Sequence, residues 1–201
     1  EDSIKENTSI YEFARRVADH SFIRYNIGMD YFFAPFGYED IKRIGVGSCL
    51  HIAHMIIYNN RSRGVPCAID MIPAWANRKG SHMWASVILP KNKSKGIYFN
   101  GEGENDFQYK VSKIYRKTYE LQPQMSPKFW ENVPQLFSNQ DLIDVTDQYN
   151  MPTSTLVIHG VSSHNVNYIY LSTFNNKEWT PIAYAKRQED EATFKNIGRG
   201  L

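Results

Sequence analysis

Cys49 and His82 have the side-chain chemistry and the local context that nucleophilic catalysis requires. Cys49 follows the glycine-rich turn GVGS at the predicted start of a helix. The unpaired backbone N–H groups and the positive dipole at a helix start favour a thiolate over a thiol. His82 begins a predicted strand, and its imidazole can pair with the thiolate and later protonate a leaving group. The pair predicts acyl transfer through a thioester on Cys49, whose backbone N–H helps to stabilise an oxyanion.

A third residue is expected to orient the imidazole of His82. The His82 strand and the segment IYFNGE are predicted to pair as a hairpin across the polar turn PKNKSKG. A hairpin centred near residue 92 places Glu102 opposite His82, and a centre one residue earlier places Asn100 there. Both candidates lie on the same face of their strand. Asp70, in the apolar segment before the histidine, is a third candidate.

Cys49 has three alternative roles. A cysteine on an apolar helix face can be a small core residue, as we expect for Cys67 in its apolar run. A disulfide between the two cysteines would consume the nucleophile. The segment CLHIAH suggests a metal site, but His51 and His54 project about 140° or more away from Cys49 around a helix axis. No metal ion or other cofactor is therefore predicted.

Hydrophobic periodicity predicts the elements that position these residues. Residues 9–25 and residues 48–61 have helical spacing, and residues 82–89 alternate as a strand does. On the second helix Cys49 belongs to the apolar arc, whereas His51 belongs to the opposite stripe with His54, Tyr58 and Arg61. We expect this helix to pack on a mainly antiparallel sheet that contains strands over residues 82–89 and 97–102. The predicted fold class is α+β.

Composition divides the chain into three segments. Residues 1–122 form the predicted core, and residues 123–143, which contain three prolines, form a predicted linker. Residues 144–201 are rich in short strand patterns and are expected to form a small all-β, sandwich-like module, which has no evident closing strand and suggests truncation. Limited proteolysis is expected to cut the linker first.

Charge and hydropathy exclude several classes of function. The chain has 23 basic and 21 acidic residues and no dense basic cluster, so we expect no nucleic-acid partner. No apolar run approaches the ~18 residues of a membrane span. The first ten residues, EDSIKENTSI, lack the basic start and the apolar stretch of a signal peptide. The sequence predicts no oligomeric state.

The order of these parts resembles the transglutaminase-like superfamily, whose core is shared with papain-like cysteine peptidases. GSC opens a helix, RSRGVP follows it, one strand begins HMW, and the next contains GIYFNGE. The resemblance implies that Cys49 is the nucleophile, that His82 is the general base and acid, and that Trp84 is the aromatic residue after the histidine. Glu102 falls where the family has an aspartate, with Asn100 one pleat nearer. This departure keeps a non-catalytic binding module as the alternative function.

The resemblance also implies a substrate class and a location. The expected reaction is hydrolysis or transfer at a peptide, protein or peptidoglycan-like amide. Trp84 and Trp75 are the candidates for substrate contact, and core packing is the alternative role of Trp75. Residues from about 144 resemble the β-rich appendage of some extracytoplasmic bacterial members. We therefore expect a periplasmic or cell-surface protein from which a signal segment has been removed.

Overall fold

A computed structural model of the chain combines helices with mostly antiparallel strands, so the predicted α+β class is confirmed. Contacts between backbone positions group the chain into two compact units. The first comprises Glu1–Asp70 and Met83–Glu102, and the second comprises Met71–His82 and Gly103–Leu201. The structure describes residues 2–21, 23–26, 28, 37–91, 93–98, 107, 110–122, 132–161 and 166–199, with the side chains of the first helix described from residue 9.

Three helices lie in the described part of the first unit: α1 (Asp2–Asp19), α2 (Tyr38–Ile44) and α3 (Cys49–Arg61). The completely buried side chain of Asn60 on α3 donates a hydrogen bond to the Ala14 carbonyl of α1 at 3.2 Å. This bond satisfies a polar group inside the core and fixes the two helices against each other. The core of this unit consists of buried residues from these helices and the neighbouring strands: Ala14, Ala18, Ile23, Ile41, Ile52, Ala53, Met55, Ile56, Ile57, Val65, Cys67, Ile69, Ala85, Val87 and Ile97.

Helix α3 confirms the helix predicted over residues 48–61. It stops at Arg61 because Gly64 adopts a left-handed φ of 79° and Pro66 cannot continue a helix. The strand β3 (Cys67–Ile72) follows directly. Its first four residues are buried, as a central strand requires.

The strands β4 (His82–Leu89) and β5 (Lys93–Ile97) form the predicted antiparallel hairpin. β4 confirms the strand predicted over residues 82–89, whereas β5 begins inside the segment that was predicted to be a turn. The reason is that KSKGI alternates despite its polar composition: Ser94 is buried and the lysines are exposed. The Lys95 ammonium lies 4.0 Å from the centre of the Tyr11 ring, which supports this exposed face. Residues 99–106 lie outside the described part of the chain.

The second unit contains β6 (Tyr115–Lys117), the short helix α4 (Gln135–Ser138) and β7 (Leu142–Asp144). β6 and β7 pair antiparallel, so described residues on both sides of the predicted linker are joined by backbone hydrogen bonds. α4 itself lies within that segment. Phe137 on α4 packs against the rings of Tyr184 and Tyr170, with centroids 5.0 and 5.8 Å away. The division into a core, a linker and a module that folds by itself stays a prediction.

Four further strands follow in the second unit: β8 (Thr153–Ile158), β9 (Tyr168–Asn175), β10 (Glu178–Lys186) and β11 (Ala192–Gly198). They form two antiparallel pairs, β9 with β10 and β8 with β11. The three runs predicted to be strands in this region each form one, and β11 is an additional strand near the end. A small apolar core lies under β10 and β11, formed by Ala183, Ala185, Ala192, Phe194 and Ile197.

A buried lysine ties distant segments of the second unit together. Lys113 is only 3% exposed, and its ammonium pairs with the Asp144 carboxylate and donates to the Lys195 carbonyl at 2.6 Å. The other Asp144 carboxylate oxygen accepts from the Thr146 backbone N–H and hydroxyl at 3.0 and 2.6 Å. These partners offset the cost of removing the two charges from water.

Candidate functional site

The turn before Cys49 is built from backbone contacts that allow little freedom. Gly45 ends α2 with a left-handed φ of 66°, and its N–H donates to the Ile41 carbonyl. The strand β2 (Val46–Gly47) then pairs in parallel with β1 (Arg24–Tyr25). A Cβ on Gly47 would lie 2.5 Å from the Cβ of His51. Glycine is required there because the turn passes directly against the first turn of α3.

Ser48 caps α3 together with His51, which lies three residues further along the chain. The Ser48 backbone N–H donates to His51 Nδ1 at 3.2 Å, and the Ser48 hydroxyl lies 2.9 Å from the same nitrogen. A backbone N–H can only donate, so Nδ1 is the acceptor and the imidazole proton resides on Nε2. His51 was predicted on the stripe opposite the apolar arc, yet its ring turns back to cap the helix start and the residue is only 7% exposed.

Cys49 is the first residue of α3, immediately after this cap. Its side chain is half-buried, with part of its surface in contact with solvent. The thiol therefore combines access for a reagent with a position at the positive end of the helix dipole. The expectation that Cys49 belongs to the buried arc of the helix needs this correction: the first helical position is at the edge of the core.

No disulfide joins Cys49 and Cys67. Cys67 is completely buried at the start of β3. Burial raises the pKa of its thiol to about 12, and the nearby Arg61 cation opposes that shift only in part. Cys67 is the core residue that the sequence predicted.

The two histidines of α3 each contact a neighbouring residue of the protein, and no shared metal ion is needed to explain their positions. His54 stacks on the Tyr58 ring at a centroid distance of 5.6 Å, and His51 caps the helix. Within the described residues, no three His, Cys, Asp or Glu side chains are grouped closely enough to hold a metal ion. None of the described helices is long and apolar enough to cross a membrane.

His82 is the first residue of β4, and its ring stacks on the indole of Trp75 in the second unit. The two centroids are 6.0 Å apart and the ring planes differ by 21°. Trp75 is 4% exposed, and the guanidinium carbon of Arg78 lies 3.7 Å from its ring centroid. Trp75 therefore provides a rigid, flat support beside the imidazole. Its direct contact with a substrate stays a prediction.

The sequence did not identify the role of Asn175 in this region. In the structure the Asn175 side chain is hydrogen-bonded to the backbone of Trp75, Arg78 and Gly80. No local signal predicts a contact between residues that are about 100 positions apart in the chain.

Of the three candidates for the third catalytic residue, only Asp70 is among the described residues. Asn100 and Glu102 lie outside the described residues, so their contacts are not part of the structure. The described β4–β5 pairs, from Ala85 with Ile97 to Leu89 with Lys93, have the register that was predicted for a hairpin centred one residue before residue 92. Asp70 is completely buried in β3 of the first unit.

Trp84 is 3% exposed in β4, and its ring lies 5.9 Å from that of Tyr98. Packing against Tyr98 is its observed contact, and a role in substrate binding stays a prediction. Cys49 belongs to the first compact unit and His82 to the second.

No protein-family model matches the chain, and no curated protein or solved structure shows significant similarity to it. The resemblance to the transglutaminase-like superfamily thus depends on the residues around Cys49, His82 and GIYFNGE.

Proposed function

We propose that this protein is a cysteine-dependent hydrolase or acyl transferase that acts at a peptide-like amide, with Cys49 as its nucleophile. One observation carries the proposal: Cys49 is partly exposed, is not part of a disulfide, and occupies the first position of α3. The preceding turn is fixed by Gly45, by the close approach at Gly47 and by the Ser48–His51 cap. A thiol held at a helix start is poised to react as a thiolate.

The proposed reaction proceeds through a thioester. The Cys49 thiolate attacks the amide carbonyl carbon, and the developing oxyanion is stabilised by the backbone N–H of Cys49. The His82 imidazolium gives its proton to the leaving amine as the carbon–nitrogen bond breaks. Water or a second amine then attacks the thioester while His82 accepts a proton, and the Cys49 thiolate is released. The identity of this second nucleophile decides between hydrolysis and transfer.

Asn100 is the residue that we propose to orient the His82 ring. The register of β4 and β5 supports it, because the same register continued toward His82 pairs it with Asn100 rather than Glu102. Spacing from the family's aspartate favours Glu102 instead. An amide orients an imidazole through a hydrogen bond without adding a charge, and this suffices in papain-like peptidases, whose third residue is an amide.

The papain- or transglutaminase-like core, a peptide or peptidoglycan-like substrate and an extracytoplasmic location are parts of the same proposal. The support for the core is a helix headed by Cys49 and an antiparallel hairpin headed by His82, in the chain order of that superfamily. The support for the substrate and the location is the sequence resemblance alone.

The direct test is alkylation of the native protein with iodoacetamide at about pH 5.5, where an ordinary thiol reacts slowly. We expect one equivalent of label on Cys49, faster than on a free cysteine, and a loss of this advantage in His82→Ala. Cys67→Ala is the matched control and should leave the rate unchanged. A Cys49 rate equal to that of a free thiol would contradict the proposal and favour a non-catalytic binding module.

A further inference from the structure

The side chain of Asn175 holds the segment of residues 75–80 by four hydrogen bonds. Asn175 is the last residue of β9 and is 5% exposed. Its Oδ1 accepts from the Gly80 N–H at 2.9 Å. The two hydrogens of its Nδ2 are shared among the carbonyls of Trp75, Arg78 and Gly80, which lie at 3.1, 3.0 and 3.1 Å. One amide side chain thus satisfies four backbone groups of a segment that has no regular secondary structure.

The segment closes further through its own backbone. The Trp75 N–H donates to the Gly80 carbonyl at 3.1 Å, and Gly80 adopts a positive φ of 89° that permits this turn. The Ala76 N–H donates to the Lys110 carbonyl at 2.8 Å, and Trp75 forms a β-bridge with Val111. Both backbone polar groups of Trp75 therefore have partners, and one of those partners is Asn175.

The indole of Trp75 is fixed as firmly as its backbone. It packs against the Phe107 ring at a centroid distance of 6.3 Å, and the Arg78 guanidinium covers it at 3.7 Å. The His82 ring stacks on the same indole at 6.0 Å. Because an imidazole can turn about two side-chain torsions, a fixed flat neighbour restricts its orientation.

We propose that Asn175 is a positioning residue for His82. It fixes the backbone of residues 75–80, and this backbone fixes the indole that supports the imidazole. The consequence for catalysis depends on the proposed function, in which His82 acts on the Cys49 thiol. Asn175 lies within residues 144–201, so the β-rich region contributes to the working site and is more than an appendage.

The test compares Asn175→Asp with Asn176→Asp. The first variant keeps an acceptor for the Gly80 N–H but presents a carboxylate to three carbonyl oxygens, where an N–H donor is required. The second adds the same charge at the next residue, which is exposed and has a φ of 50° that aspartate tolerates. Two quantities are measured in the whole chain: the NMR shifts of the His82 ring protons, and the rate of Cys49 alkylation by iodoacetamide as a function of pH.

In Asn175→Asp we expect the His82 ring protons to lose the ring-current shift caused by Trp75. We also expect alkylation at acidic pH to slow on the order of tenfold, because a displaced base no longer sustains the thiolate. The control should match the unaltered protein in both measurements. His82 shifts that stay unchanged in Asn175→Asp would overturn the proposal.

The two measurements separate this proposal from the proposed function. A lost ring-current shift with an unchanged alkylation profile would support the positioning by Asn175 and overturn the action of His82 on Cys49. If Asn175→Asp does not fold, Trp75→Phe replaces it, since that variant keeps all four backbone bonds and a smaller ring. It should move the His82 shifts while the Asn175 side-chain amide signals stay in place, and unmoved His82 shifts would again overturn the proposal.

Discussion

Cys49 and Cys67 are the same chemical group at the start of two consecutive elements, yet their surroundings differ in every respect that controls reactivity. Cys49 begins a helix, is reached by solvent and follows a rigid turn. Cys67 begins a strand, is completely buried, and has a thiol pKa raised to about 12. Arg61 donates to the backbone carbonyl of Cys67 at 3.3 Å, so its cation helps to hold the strand. From this difference we expect the Cys49 thiol to react and the Cys67 thiol to serve as a core residue.

The largest expected effect separates the two thiols directly. With a pKa of about 12, Cys67 is a thiolate in only about one molecule in 10⁵ at pH 7. Native Cys49→Ser keeps only Cys67 for reaction with iodoacetamide, and native Cys67→Ala keeps only Cys49. The first variant should therefore be labelled more than ~10³-fold more slowly than the second. Mass spectrometry of time points measures both rates, and denatured samples, in which both variants should label fully, are the control. Rapid labelling of native Cys49→Ser would break the comparison.

The second effect is the contribution of His82 to the reactivity of the Cys49 thiol. We expect His82→Ala to slow the acidic-pH alkylation of Cys49 on the order of 10²-fold, because the thiolate loses its imidazolium partner. His159→Ala is a suitable control, since His159 lies 2.8 Å from Glu191 on the surface of the second unit. If the pH profile of Cys49 alkylation is identical in the two variants, the helix start alone activates the Cys49 thiol.

The third effect distinguishes the residues that could orient His82. On an identified amide substrate, Asn100→Ala should lower kcat on the order of tenfold, and Glu102→Gln should lower it less. This order follows from the β4–β5 register. The reverse order would transfer the role to Glu102, as the spacing alone favours. No loss from either change, with Cys49→Ala inactive, would point to Asp70 or to a site of two residues.

The smallest effect is a pH dependence of stability that originates at Cys67. Its pKa is higher in the folded chain than in the unfolded one, so the folded state keeps a proton that the unfolded state loses above pH 9. The contribution is complete below about pH 9 and falls as pH rises toward 12, by on the order of 1 kcal/mol per pH unit.

Urea unfolding of the unaltered protein and of Cys67→Ala at about pH 8 and about pH 10 measures this dependence. The difference in unfolding free energy between the two proteins should narrow at the higher pH, because alanine has no proton to lose. Cys49→Ala serves as the matched control and should keep the pH dependence of the unaltered protein. A constant difference between the proteins would show that Cys67 is not shielded as its burial implies.

The accuracy of the sequence-based predictions followed the range of the interactions involved. Both ends of α3 were predicted to within one residue, because local signals flank the helix. A turn glycine and a serine cap come directly before it, and Gly64 and Pro66 come shortly after it. The start of β5 was missed because a polar composition hid its alternation. The burial of His51 was not predicted, because helical periodicity gives no sign that its ring folds back onto the Ser48 N–H.

The sequence by itself determined the α+β class, the helix that begins with Cys49 and the strand that begins with His82. These are local properties, set by turn residues, caps and alternation within about a dozen positions. Only the tertiary structure decided that Trp75 supports the His82 ring and that Asn175 holds the segment of residues 75–80. The physical reason is that an unsatisfied backbone carbonyl accepts any donor that folding brings within 3 Å, and sequence patterns do not specify which distant amide arrives there.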